Sequence, residues 1–233
     1  MSLPPTVRVE LGDSVRSYWL DRVAQHTRDS YAGIGLSKFP EDLRVYEHLL
    51  WESQATAVIE IGAQYGGSAL WFRDRLVALS RYRSGARPRV VTIDLDVAEA
   101  RRNLAEIDPG HSDTISLVEG DVRDPALAER VSGLVPAGAR CLVVEDSEHV
   151  YDTTFAALEG FARFVPPGGY FVVEDGCVDV DEMRLSPDWP RGVLPAVRDW
   201  LATEAGTDFT ARRDLELYGV SCHPEGFLQR RPA

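Results

Sequence analysis

Residues 58–68 read VIEIGAQYGGS, and the fold of the chain turns on them. Val58, Ile59 and Ile61 are β-branched and nearly continuous, the pattern of a strand covered on both faces. Gly62 ends that strand, Gly66 and Gly67 follow after Ala63, and Ser68 opens the helical run ALWFRDRLVALS. Glycines here permit positive φ and close approach of a ligand to the main chain, and the helix N-terminus behind them offers unpaired N–H groups. The stretch therefore reads as a strand, a loop for a nucleotide-bearing ligand and a helix.

Spacing narrows the ligand. A dinucleotide loop reads G-x-G-x-x-G, whereas this one reads G-x-x-x-G-G with Glu60 inside the preceding strand, and it lacks the Gly-Lys-Ser/Thr of a phosphate-gripping loop. E-x-G-x-x-x-G resembles the first motif of the class I S-adenosylmethionine-dependent methyltransferases, in which the acid and the loop hold the amino-acid end of the cofactor. That resemblance implies Glu60, Gly62, Ala63, Gly66, Gly67 and Ser68 as cofactor contacts. Taken alone, the same glycines would also serve an ordinary tight turn from strand to helix.

Composition bounds the rest. A chain of 233 residues fits one α/β domain with a full core, or a domain with short additions. A net charge of −12 argues against nucleic acid, because neutralising phosphates needs clustered Lys and Arg, so a small-molecule substrate is expected. No apolar run approaches the roughly 18 residues of a membrane span. The start MSLPPTVRVELGD lacks a signal peptide's apolar core, and a cytoplasmic protein without a membrane partner is expected. Cys141, Cys177 and Cys222 are odd in number and widely spaced, which excludes a disulfide framework and the usual zinc spacings and leaves buried thiols. Lys38 is the only lysine, an imbalance ascribed mainly to composition.

In order, residues 1–12 read as a loose arm and 13–29 as a polar helix, so that 1–37 form an extension and 38–233 the main domain. Pro40 stands just before a helix with Leu43, Tyr46, Leu49 and Leu50 on one stripe. After the glycine loop come a helix (about 67–80), the turn RYRSGARP, the strand RVVTIDLD, a helix (about 97–106), the strand ISLVEGD and a helix (about 124–133). The strand RCLVVED, a helix starting near Tyr151, the stop PPGG and the strand GYFVVED follow. Residues 176–191 are irregular and suited to a loop over a site. GVLPAVRDWLATE is a late helix, and ELYGVSC with GFLQR reads as a closing hairpin across Pro224, Glu225 and Gly226. Alternating strands and helices predict a doubly wound, mostly parallel α/β sheet whose antiparallel edge comes from that hairpin.

Carboxylates cluster at one side of this plan. Asp94, Asp121, Asp146, Glu174 and Asp175 all fall at carboxyl ends of predicted strands, the edge where open α/β sheets bind ligands. Each acid singly could be the N-cap of the next helix, but Glu174 and Asp175 open onto an irregular loop. Asp94 is placed to accept from a ribose diol, and Asp121 lies near the adenine. Asp146, Glu174 and Asp175 form a separate group whose oxygens would suit Mg²⁺, with His149 as the titratable neighbour or as a plain capping residue.

At this point the residues carry a wider resemblance. EIGAQYGGSAL, DSEHVYDTTFAALEGFARFVPPGGYFVVEDG, GVLPAVRDWLATEAGTDFTARRDLELYGVSCHPEGFLQRR and SKFPEDLRVYEHLLWE together resemble the cephalosporin hydroxylase/rhamnosyl O-methyltransferase family over about residues 35–231. That family has the class I methyltransferase fold, a Rossmann-like seven-stranded sheet, and includes sugar O-methyltransferases of antibiotic biosynthesis. The resemblance, with that to the catechol O-methyltransferases, implies Mg²⁺ held by Asp146, Glu174 and Asp175. The catechol enzymes place a catalytic lysine three residues after the first metal acid, and here that position is His149, which can transfer the same proton.

The resulting expectation is a Mg²⁺-assisted S-adenosylmethionine-dependent O-methyltransferase of a small, sugar-bearing natural product, with His149 as base. Met183, Trp189 and Pro190 would shape the acceptor pocket, and a homo-oligomer is expected. Two alternatives stay open at this point: a nicotinamide-dependent oxidoreductase on the same sheet, and a non-catalytic binding module.

Overall fold

The computed structural model describes residues 14–83, 87–217 and 221–232. The N-terminal arm, the middle of the RYRSGARP turn and residues 218–220 of ELYGVSC lie outside the described residues. In chain order the elements are α1 (Val15–His26), β1 (Ser30–Tyr31), β2 (Ile34–Gly35), α2 (Pro40–Glu52), β3 (Ala57–Ile61), α3 (Gly67–Ser80), β4 (Arg89–Asp94), α4 (Ala98–Ile107), β5 (Ile115–Glu119), α5 (Leu127–Ser132), β6 (Cys141–Glu145), α6 (Tyr151–Phe161), β7 (Tyr170–Val173), α7 (Val193–Leu201), β8 (Phe209–Ala211) and β9 (Phe227–Arg230). Short 3₁₀ turns join several of them.

All five residues of β3 and of β6 are buried, as the apolar runs AVIEI and CLVVE require of central strands. Successive side chains point to opposite faces, so each strand feeds two cores. Ile59, Ile61, Val143 and Phe171 pack with Leu158, Phe161, Val197 and Trp200 on one side. Val58, Val90, Leu142 and Val172 pack with Tyr46, Leu49, Leu70 and Phe72 on the other. Burying each such large side chain contributes roughly 1.5–3 kcal/mol.

The sheet has seven strands in the order β5-β4-β3-β6-β7-β9-β8, parallel from β5 to β7 and doubly wound. β9 alone runs against its neighbours, pairing antiparallel with both β7 and β8. The chain winds from β3 through β4 to β5 on one side, then returns to start β6 against β3, so the strand order reverses between β3 and β6. Crevices at such a reversal are where open α/β sheets take ligands.

The closing hairpin corrects the sequence reading. β9 pairs with Phe209–Ala211 rather than with ELYGVSC, and β8, not β9, takes the edge. Ser221 and Cys222 of ELYGVSC are instead drawn to the buried carboxylate of Asp42 in α2, which accepts from Ser221 Oγ at 2.7 Å and Cys222 N at 3.0 Å. α1 spans 15–26 rather than 13–29 and is fastened to the loop after β7, Trp19 Nε1 donating to Met183 O at 2.7 Å. Cys141, Cys177 and Cys222 are all free and buried. Among the described residues no helix is long and apolar enough to cross a membrane.

Candidate active site

The turn after β3 is seamed to the end of β6. Asp146 N donates to Ile61 O at 2.8 Å, and a Cβ on Gly62, whose φ is +109°, would stand 1.8 Å from Asp146 O. A Cβ on Gly67 would meet Gly35 O of β2 at 2.2 Å, and Gly66, at φ +88°, abuts Leu104 and Ala100 of α4. Protein backbone and side chains close in on these glycines, which accords with the tight strand-to-helix turn that the sequence also allowed. Of the loop only Gly62 and Gln64 line the cleft beside it.

That cleft, of about 340 Å³, lies at the carboxyl ends of β3 to β6 and is lined by Gly62, Gln64, Asp94, Gly120, Asp121, Arg123, Asp146, Glu148, His149 and Asp175, among others. Its size suits a small-molecule site. Asp94 Oδ2 accepts from Gln64 N at 2.9 Å. Asp121 lies two residues past the end of β5, where the Arg123 guanidinium grips it from Nε at 2.9 Å and Nη2 at 2.8 Å and holds its carboxyl below the usual range. Neither Asp121 nor Asp146 is the N-cap of the following helix, those positions being Ala126 and Val150.

Glu60, Ala63, Gly66, Gly67 and Ser68 stand behind the wall. Glu60 is fully buried and accepts from Thr92 Oγ1 at 2.7 Å. Burial pushes its carboxyl up to about 7 against the pull of Lys38.

At the other end of the cleft the acids divide. Asp146, His149 and Asp175 present ligand atoms that all lie within 4.8 Å of one another, and His149 Nε2 is 3.3 Å from Asp175 Oδ2. Both His149 (φ +56°) and Asp175 (φ +55°) have left-handed backbone, a strain of order 1–3 kcal/mol each that surrounding structure must hold in place. Glu174 is not in this group. It is 3% exposed and is turned inward, where Lys38 Nζ donates to its Oε1 at 2.6 Å and Tyr46 Oη to the same oxygen at 2.5 Å. Lys38 Nζ also donates to Asp146 Oδ2 at 2.8 Å. Burial works against the Lys38 charge, but Asp146, Glu174 and Glu60 outweigh it and hold its pKa well above the usual value. Burial opposes the His149 imidazolium too, and Asp175 and Asp146 prevail and raise its pKa.

Gln64 and Arg123 line the cleft, and Lys38, Tyr46 and His223 are buried behind its acids, without any of the five being named as site residues from the sequence. The only available signal was the solitary lysine in SKFP, whose partners lie more than a hundred residues away.

A second cavity of about 250 Å³ meets the cleft at His26, Thr27, His149 and Asp175. Trp19 and Val23 of α1 and Cys177, Met183, Leu185 and Trp189 give it an apolar wall. Of the three residues singled out in this loop, Met183 and Trp189 line the cavity and Pro190 does not. The Trp189 indole donates to His149 O at 3.3 Å, tying this loop to the turn after β6.

The fold, the cleft and the comparisons together define a class I S-adenosylmethionine-dependent O-methyltransferase. Residues 23–231 match the family described as rhamnosyl O-methyltransferase/CmcI, and the chain belongs to that family. The rhamnosyl O-methyltransferase of Mycobacterium bovis is 28% identical over 206 residues, covering 88% of this chain and 79% of that protein. Its counterpart in Mycobacterium leprae is 26% identical over 205 residues, 87% of this chain and 83% of that protein. A CmcI structure carrying Mg and S-adenosylmethionine superposes with a TM-score of 0.63 at 23% identity, over 97% of this chain and 89% of that one, a likeness of fold.

Proposed function

We propose that this enzyme methylates a hydroxyl of a small natural product, on a sugar unit, with Mg²⁺ assisting. The observation that carries the reading is the meeting of His149, Asp146 and Asp175 where the polar cleft joins the apolar cavity. S-adenosylmethionine supplies a methyl group already activated on a positively charged sulfur, so positioning is the main task left to the protein. Asp94 and Gln64 would hold the nucleoside side of the cleft. The acceptor would lie in the second cavity, with its hydroxyl beside His149 Nε2, which would take the proton. Asp175 Oδ2, 3.3 Å from that same nitrogen, would stabilise the imidazolium once Nε2 has taken the proton.

The residues fit a hard cation, since Asp146 and Asp175 offer carboxylate oxygens at the cleft wall with room for water beside them. When bound, Mg²⁺ would supply positive charge against the acceptor oxygen as it loses its proton. The rhamnosyl O-methyltransferase relatives support the sugar part of this proposal. Homo-oligomerisation is part of the same reading, with exposed Trp51 and Tyr82 as candidates for a shared face and light scattering as its check.

Transfer of labelled methyl to glycosylated acceptors tests the reading. EDTA should abolish turnover without displacing S-adenosylhomocysteine, and added Mg²⁺ should restore it. His149→Ala should lower the methyl-transfer rate by roughly 10² to 10⁴ with cofactor affinity unchanged. Turnover indifferent to EDTA would reduce the acids to an internal hydrogen-bonded cluster, and a full single-turnover rate in His149→Ala would remove the histidine as base.

A further inference from the structure

Glu174 sits beside Asp175 in sequence yet lines neither cavity, while Asp146 and Asp175 line the cleft with side chains 23% and 26% exposed. The cause is local. β7 ends at Val173, and the left-handed turn at Asp175 brings that carboxylate to the cleft while Glu174, one residue earlier, stays in the interior.

There one of its oxygens is occupied. Oε1 accepts from both Lys38 Nζ and Tyr46 Oη. Oε2 faces His223 Nε2 at 3.8 Å, and because His223 Nδ1 accepts from Asp175 N at 3.2 Å, the ring's proton lies on the Nε2 side. Asp42 Oδ2 stands 3.7 Å from the same Nε2, which faces two buried acids without hydrogen-bonding to either. Lys38 meanwhile spans Glu174 and Asp146, a single internal cation serving two carboxylates.

We propose that Lys38 is a positioning residue that withdraws Glu174 from the metal set and limits the affinity of a site whose carboxylate ligands are Asp146 and Asp175 alone. This rests on the metal reading above but departs from the three-acid set implied by family resemblance. The ammonium acts in two ways. It occupies the space between Asp146 and Glu174 that a shared divalent ion would need, and it places a like charge beside any ion bound to Asp146.

Mn²⁺ binding, followed by electron paramagnetic resonance in the presence of S-adenosylhomocysteine, tests this without reference to turnover. Asp175→Asn should weaken Mn²⁺ by about tenfold or more, since it removes a ligand's charge from a hard-cation site. Glu174→Gln should change the affinity by less than about threefold, because its carboxylate is directed at Lys38 and Tyr46. Lys38→Met should tighten Mn²⁺ by about tenfold, having removed the competing charge and released Glu174. Calorimetric S-adenosylhomocysteine binding reports that each variant is folded, and should Lys38→Met not fold, the contrast between Glu174→Gln and Asp175→Asn decides the matter. Equal losses in those two variants overturn the proposal, as does Mn²⁺ affinity unchanged or weakened in a folded Lys38→Met. A wild-type protein that binds S-adenosylhomocysteine but no Mn²⁺ defeats the metal reading itself, an outcome distinct from both.

Discussion

At the β4 and β5 ends of the sheet the acids are held from 2 and 30 residues away, and at the β6 and β7 ends from 108 residues away or more. Asp121 is gripped by Arg123, two residues on, and Asp94 by the backbone of the glycine loop. Asp146 and Glu174 share Lys38 across sequence separations of 108 and 136, and Tyr46 reaches Glu174 across 128. The first arrangement is solvent-exposed and screened; the second is buried, so each charge there depends on its partner remaining in place. Both stand at one edge of one sheet, which shows that the position of an acid at a strand end does not fix its chemical role.

The largest effect that bears on this contrast belongs to Glu60, a buried acid on the strand between the two regions. Its folded pKa of about 7 lies above the ordinary 4.5, so between those values the folded protein keeps a proton that the unfolded chain has released. The stability contributed is full below pH 4.5 and is lost as pH rises through about 7, on the order of 3 kcal/mol at about 1.4 kcal/mol per unit. Glu60→Gln should therefore show a smaller fall in unfolding free energy between pH 5 and pH 8 than wild type. Parallel pH profiles of denaturant unfolding would show that burial of this acid is already compensated.

Next in size is Tyr46→Phe, which removes a hydroxyl donor to Glu174 and leaves the ring packing against Phe72 in place. A hydrogen bond to a charged group contributes about 1.5–3 kcal/mol, and the melting temperature should drop accordingly. Smallest is Arg123→Ala, whose guanidinium is exposed beside Asp121. Its melting temperature should match wild type, because exposed ion pairs contribute little. An Arg123→Ala loss as large as that of Tyr46→Phe would erase the distinction between the two regions.

Much of the architecture was legible because its signals are local. β3, the turn at Gly62 and α3 followed from a β-branched run, glycine spacing and the helical run behind them. Pro40 marked the start of α2, and the acids did fall at or just past strand ends. The hairpin partner was misread because ELYGVSC has a strand's composition, while Asp42, about 180 residues earlier, claims Ser221 and Cys222. The tight turn at the glycines was legible, but not which atoms crowd them, since those belong to Asp146, Gly35 and Leu104, far from them in sequence.

The sequence by itself determined the alternation of strands and helices, the doubly wound sheet and the acid-rich edge, because hydrogen-bonded periodicity and turn chemistry are set within a few residues. Only the tertiary structure decided which acids face the cleft and which are neutralised inside. That choice depends on a left-handed turn at Asp175, which Asp tolerates without advertising, and on bringing Lys38 and Tyr46 from one end of the chain to Glu174 near the other. Charges act through space, and their distances exist only once the chain has folded.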